Sequence, residues 1–165
     1  MRTFCSGPDQ AKSWRSRVAP FLPGGRKVIG VEPTFTDVYE DASGVSAEAI
    51  ILPLRADYTQ DVGALVRAAR RKHRDAGFVY LCTPNNPTGI VVTQQEVREL
   101  LHGVPDGVPV LIDEAYHHYA AHPQYATSVP YVVGGRNVIV ARVSWYRRRD
   151  GAVPRRLPRD PVSTR

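Results

Sequence analysis

An α/β fold, with a partial, mostly parallel sheet and flanking helices, is predicted for the middle of this chain. Three observations predict it. Short apolar runs rich in Val and Ile alternate with amphipathic stretches between residues 27 and 141. A stiff turn built from Asn, Pro and Gly, within LCTPNNPTGIVV (Leu81 to Val92), follows one of these runs. An acid, Asp113, closes another. Polar groups at the carboxyl ends of parallel strands are where open α/β sheets bind ligands.

Each element has its own local reason. RKVIGV (26–31) reads as a strand, and EPTF leads from it into a helix, TDVYEDASG (36–44). EAIILPL (48–54) carries the β-branched residues of a second strand. QDVGALVRAARRKH (60–73) places Val62, Leu65, Val66 and Ala69 on one helical face, with Arg67, Arg70, Arg71 and Arg74 mainly outside. GFVYLC (77–82) is a third strand. Thr93 to Glu96, TQQE, is a capping box that starts the helix QQEVRELLH (94–102). GVPVLID (107–113) and NVIVA (137–141) complete the strands. Residues 1–18 show no clear period, and the segment after Arg142 has no apolar face.

Composition excludes several classes. The apolar share of 42% and charged share of 23% are those of an ordinary globular chain. No apolar run approaches the roughly 18 residues of a membrane helix, and the first 18 residues lack a signal-type apolar core. Cys5 and Cys82 are too few and too far apart for a disulfide framework, so a reducing cytoplasm is expected. The net charge of +6 suggests nucleic acid until it is located: residues 142–165 hold eight Arg and two Asp, which accounts for all of it. The rest of the chain is neutral. A charged tail of this kind is expected to be solvated and disordered. As a binding module it would contact nucleic-acid phosphates by charge, with Trp145 and Tyr146 stacking on bases.

The chemistry-bearing residues are those at the strand ends. In VLIDEAYHHYA (Val110 to Ala120) a carboxylate ends a hydrophobic strand, which is costly unless it meets a cation or donors. A protonated pyridine nitrogen is one such partner. His117, His118 and His122 with Glu114 raise a metal site, but adjacent histidines are expected to point apart. The ordered set EPTF, LPLRADYTQDVGAL, LCTPNNPTG, DEAYHHY and NVIVAR resembles the class I/II aminotransferases of fold type I, in particular the histidinol-phosphate aminotransferase-like group.

The resemblance divides the chain into a divergent N-terminal segment (1–19), a partial large domain (20–142) and an Arg/Pro-rich tail (143–165). It implies pyridoxal 5'-phosphate as cofactor, amino-group transfer between an amino acid or amine and a 2-oxo acid, and a homodimer. By position, Asn86 is implied to hydrogen-bond the phenolic oxygen of the cofactor, and Tyr116 to add a second donor. Asp113 would pair with the pyridinium nitrogen, and Phe35 would stack on the ring face. The alternative reading of Phe35 and of Tyr116 is a plain core residue. The lysine to which the family attaches the cofactor follows a strand like NVIVAR, yet the only lysines here are Lys12, Lys27 and Lys72. The family's phosphate-binding loop and the arginine that grips the substrate carboxylate are not found either. A shifted reading frame at both ends, or a gene remnant or truncation, would account for this. The chain is therefore expected not to transaminate by itself.

Overall fold

The computed structural model describes residues 3–6 and 18–143. Among these residues six strands form one sheet: β1 (Thr3–Ser6), β2 (Lys27–Glu32), β3 (Ala49–Pro53), β4 (Ala76–Cys82), β5 (Val110–Asp113) and β6 (Val138–Val143). Their order across the sheet is β1-β6-β5-β4-β2-β3. Every pairing is parallel, so all carboxyl ends share one edge. The helices are α1 (Asp37–Ser43), α2 (Val62–Arg71), α3 (Gln94–Gly103) and α4 (Val129–Val133). The expected mostly parallel α/β sheet is present.

Strand alternation sorts the core into two layers. Ile29, Val79, Leu81, Ile112 and Val140 face one way, where α2, α3 and α4 cover them with Val62, Leu65, Val97, Leu100 and Val132. Val28, Phe78, Tyr80, Leu111 and Ile139 belong to the opposite layer, covered by Val38, Tyr39 and Ala42 of α1 and by Val18 and Leu22. The chain path explains this division. α1 carries the chain outward from β2 to β3, whereas α2, α3 and α4 carry it the other way across the sheet. Right-handed crossovers that reverse direction must change face. The reversal falls between β2 and β4, and the loops leaving those strands diverge there, which opens a crevice.

Local signals hold where the sequence carried them. Thr93 and Glu96 form the reciprocal capping box of α3, and Asp61 caps α2 by accepting from the Ala64 amide at 2.8 Å. All seven residues of β4 are buried, as suits an interior strand covered on both faces. One finding differs from expectation. Residues 3–6, in a segment without period, form β1 alongside β6; a four-residue edge strand is too short to show a period of two. The tail from residue 144, including Trp145 to Arg149, lies outside the described residues, as does most of the N-terminal segment.

Gly30 shows how tightly β2 and α1 approach. A methyl group there would sit 2.1 Å from the Tyr39 hydroxyl, which donates to the Val31 carbonyl at 2.8 Å. Gly30→Ala is expected to destabilise the chain by about 1–3 kcal/mol through overpacking. The urea midpoint should fall at unchanged slope. A midpoint equal to that of the parent would mean Tyr39 yields freely.

Candidate functional site

The site is built at the carboxyl edge of the sheet, where the β2, β4 and β5 loops meet. Cys82, the last residue of β4, pairs in register with Asp113, the last of β5. The Asn-Pro turn leaving β4 therefore stands beside the Asp113 strand end. Peptide bonds Thr83–Pro84 and Asn86–Pro87 in this turn are cis, as is Glu32–Pro33 in the turn leaving β2.

The two asparagines divide the work. Asn85 is buried. Its side-chain oxygen accepts from Thr34 Oγ1 at 2.6 Å, and its amide nitrogen donates to the Pro33 carbonyl at 3.1 Å and Thr88 Oγ1 at 3.0 Å. It ties the turn carrying Phe35 to the turn carrying Asn86 across the crevice. Asn86 is half-buried and lines a cleft of about 820 Å³, with Tyr116 on the facing loop and Thr59, Glu96, His122 and Gln124 around it. Gln60, also buried, donates to the Cys82 carbonyl at 2.6 Å and holds the end of β4.

Asp113 is only 3% exposed. Its carboxylate accepts from the Tyr80 hydroxyl at 3.2 Å and from the Ala115 amide at 2.9 Å. Among the described residues no cation lies within ion-pair distance of it. Burial pushes the carboxyl up to about 6; the bonds from Ala115 and Tyr80 oppose this, and the neighbouring Glu114 charge adds to it. Tyr80 is itself braced edge-on by Tyr39, with ring centroids 5.8 Å apart. Burial, with the Asp113 charge added, raises the Cys82 thiol to about 12, so it is no nucleophile.

The four residues singled out in the sequence fall into two pairs. Asn86 and Tyr116 share the cleft, whose lining includes neither Asp113 nor Phe35. Asp113 points to the α1 layer of the sheet through Tyr80, and Phe35 packs half-buried against that same layer. The expectation that adjacent histidines point apart is corrected. His117 and His118 lie in a 3-10 turn, His117–Tyr119, and their ring centroids are 4.6 Å apart.

Two lysines fall among the described residues. Lys27 opens β2, and Lys72 follows α2 just ahead of β4. In a parallel sheet both lie at the amino edge, so the length of β4 separates them from the site, roughly 20 Å at a rise of about 3.3 Å per residue.

Sequence reasoning passed over Asn85, Tyr80 and the structural use of Glu114. The last was legible in principle. Asp113 and Glu114 are consecutive at a strand end, and a strand sends successive side chains to opposite faces.

Comparison with known proteins defines the class. The family described as aminotransferase class I and II matches residues 3–143, and the chain belongs to this family. Within it, the chain is similar to histidinol-phosphate aminotransferases. It is 36% identical over 113 residues to that of Staphylococcus carnosus, covering 68% of this chain and 30% of the relative. To that of Moorella thermoacetica it is 35% identical over 123 residues, covering 74% and 31%. The crystal structure of histidinol-phosphate aminotransferase from Sinorhizobium meliloti in complex with pyridoxal-5'-phosphate shares the fold, with a TM-score of 0.70 at 23% identity. That match covers 78% of this chain and 34% of the other. The chain spans about a third of the length of these relatives.

Proposed function

We propose that this chain is a partial large domain of a pyridoxal-phosphate-dependent aminotransferase that retains the ring-binding residues and does not transaminate by itself. The observation that carries the reading is Asp113, a buried carboxylate at the end of β5, next to the strand whose turn presents Asn86. A buried carboxylate with no cation beside it among the described residues suits a protonated ring nitrogen, whose N–H it would accept and whose charge it would balance. Asn86 and Tyr116 would donate to the phenolic oxygen, and Phe35 would cover a ring face. Bound pyridoxal phosphate supplies an electron sink for the carbanion of an amino donor. In the intact family the exchange runs between an amino acid or amine and a 2-oxo acid in a homodimer, and we propose a cytoplasmic setting for this chain.

The absence of transfer follows from the lysines. No lysine occurs after Lys72, and Lys27 and Lys72 stand at the far edge of the sheet. Lys27 is bonded to Glu48, whose hydrogen bond and charge hold its ammonium above its ordinary value and reduce its nucleophilicity. The test is to mix the purified chain with pyridoxal phosphate, glutamate and a 2-oxo acid, then reduce with borohydride and weigh the products. No amino transfer is expected, and only scattered, substoichiometric adducts on Lys12, Lys27 and Lys72. One stoichiometric adduct, together with transfer from glutamate, would overturn the inactive reading.

A further inference from the structure

One buried charged group has no part in the ring-binding assignment. Glu114 is 1% exposed, yet it follows Asp113 directly. Its carboxylate is fully used: Oε1 accepts from the Ser128 amide, while Oε2 accepts from Thr127 Oγ1 at 2.9 Å and from Arg142 Nε and Nη2 at 3.1 and 3.0 Å. Arg142 also donates to Thr127 Oγ1. Thr127 and Ser128 lead into α4, and Arg142 belongs to β6. One side chain therefore joins three segments.

Its place in the chain gives this anchor its consequence. The Asp113 carbonyl accepts from the Thr83 amide at 2.9 Å, and the Glu114 amide donates to the Ala141 carbonyl at 2.8 Å. Both residues are still held by neighbouring strands. After Glu114 the backbone leaves the sheet for the turn that contains Ala115 and Tyr116. The Glu114 side chain is thus the tether at the point of departure, and Asp113 Oδ1 rests on the first amide beyond it.

We propose that Glu114 is a positioning residue of the ring site: anchored through Arg142, Thr127 and Ser128, it fixes the turn that carries Tyr116 and the Ala115 amide on which the Asp113 carboxylate rests. The proposal rests on the ring-binding reading of Asp113. An apolar side chain of similar volume would serve stability as well or better, since buried ion pairs recover little more than their desolvation cost. What the charged network adds is geometry. Both carboxylate oxygens have directional partners, and a displacement of about 1 Å in a binding group is enough to cost orders of magnitude in function.

The test uses the full chain, with pyridoxamine 5'-phosphate as a probe that requires no lysine. Its affinity is read from ring fluorescence, and the Ala115 amide, bonded to Asp113, is followed by NMR shift and hydrogen exchange. The variants are Glu114→Gln and Thr127→Val, compared where denaturant curves show them folded. Glu114→Gln is expected to weaken probe binding about tenfold or more, to shift the Ala115 resonance and to speed its exchange. Thr127→Val removes one of the four bonds to Glu114, together with those the hydroxyl accepts from Arg142 and the Val129 amide, but keeps the ion pair, and should move all three in the same direction by less. A folded Glu114→Gln chain with the parent's affinity and Ala115 resonance would overturn the proposal. Should Glu114→Gln not fold, an unchanged Thr127→Val chain would overturn it equally. If the parent shows no binding that Asp113→Ala removes, the ring-binding reading fails, and the Ala115 amide still decides whether Glu114 fixes the turn.

Discussion

Replacing Asp113 by asparagine is expected to stabilise the free chain at pH 7 by about 3 kcal/mol while removing ring binding. The carboxyl rises from an ordinary value of 3.8 to about 6 on folding, mainly through burial. Between those values the native chain holds a proton that the unfolded chain has released. Raising pH through this window therefore costs stability: the contribution is intact below about 4 and has been lost once pH passes about 6. A rise of this size corresponds to about 3 kcal/mol. Asparagine keeps an acceptor for the Ala115 amide and carries no charge, so its curve should lack the decline. Urea unfolding of both chains from pH 4 to 7.5 would show the gap opening towards pH 6 and then holding constant. A parent chain that gains stability over that range relative to the variant would rule out a buried Asp113 carboxyl with a raised value. Residues that store such a cost at a strand end are expected where function, rather than stability, selects them.

Glu114→Ala is expected to destabilise the chain by about 3 kcal/mol or more, because it takes the balancing carboxylate away from a partly buried guanidinium and an acceptor away from the Ser128 amide. The Arg142 side chain retains 26% exposure against none for Glu114, which places the expectation at the lower end of the range for buried pairs. The surface pair of Lys27 and Glu48 is an internal control. With side chains 31% and 74% exposed it is screened by solvent, and Glu48→Ala should leave the urea midpoint nearly unchanged. Equal effects of the two substitutions would mean that the Glu114 network is solvated in solution.

The sequence by itself determined what depends on neighbours in the chain. The face of α2 follows from a period of 3.6, and Val62, Leu65 and Ala69 are buried as that period requires. The capping box of α3 needs only the four residues from Thr93 to Glu96. The alternation of strands and helices sufficed for a parallel α/β sheet, and the ordered motifs for the family. Asn86 and Asp113 were legible as members of those motifs.

Only the tertiary structure decided which side chains meet. Tyr80 is 33 residues from the Asp113 it bonds, and Asn85 is 51 from Thr34. Nothing local in either segment records its partner. The same holds for β1, which is too short to show a pattern and is recruited by β6 across most of the chain. Adjacent asparagines and adjacent acids look equivalent in the sequence, but folding gives each member of a pair a different partner. Asn85 braces the crevice while Asn86 lines the cleft. Asp113 turns to the Tyr80 layer, and Glu114 turns to Arg142 and α4. The physical reason is strand geometry. Successive side chains at a strand end leave on opposite faces, and what each then meets depends on which helices cover those faces.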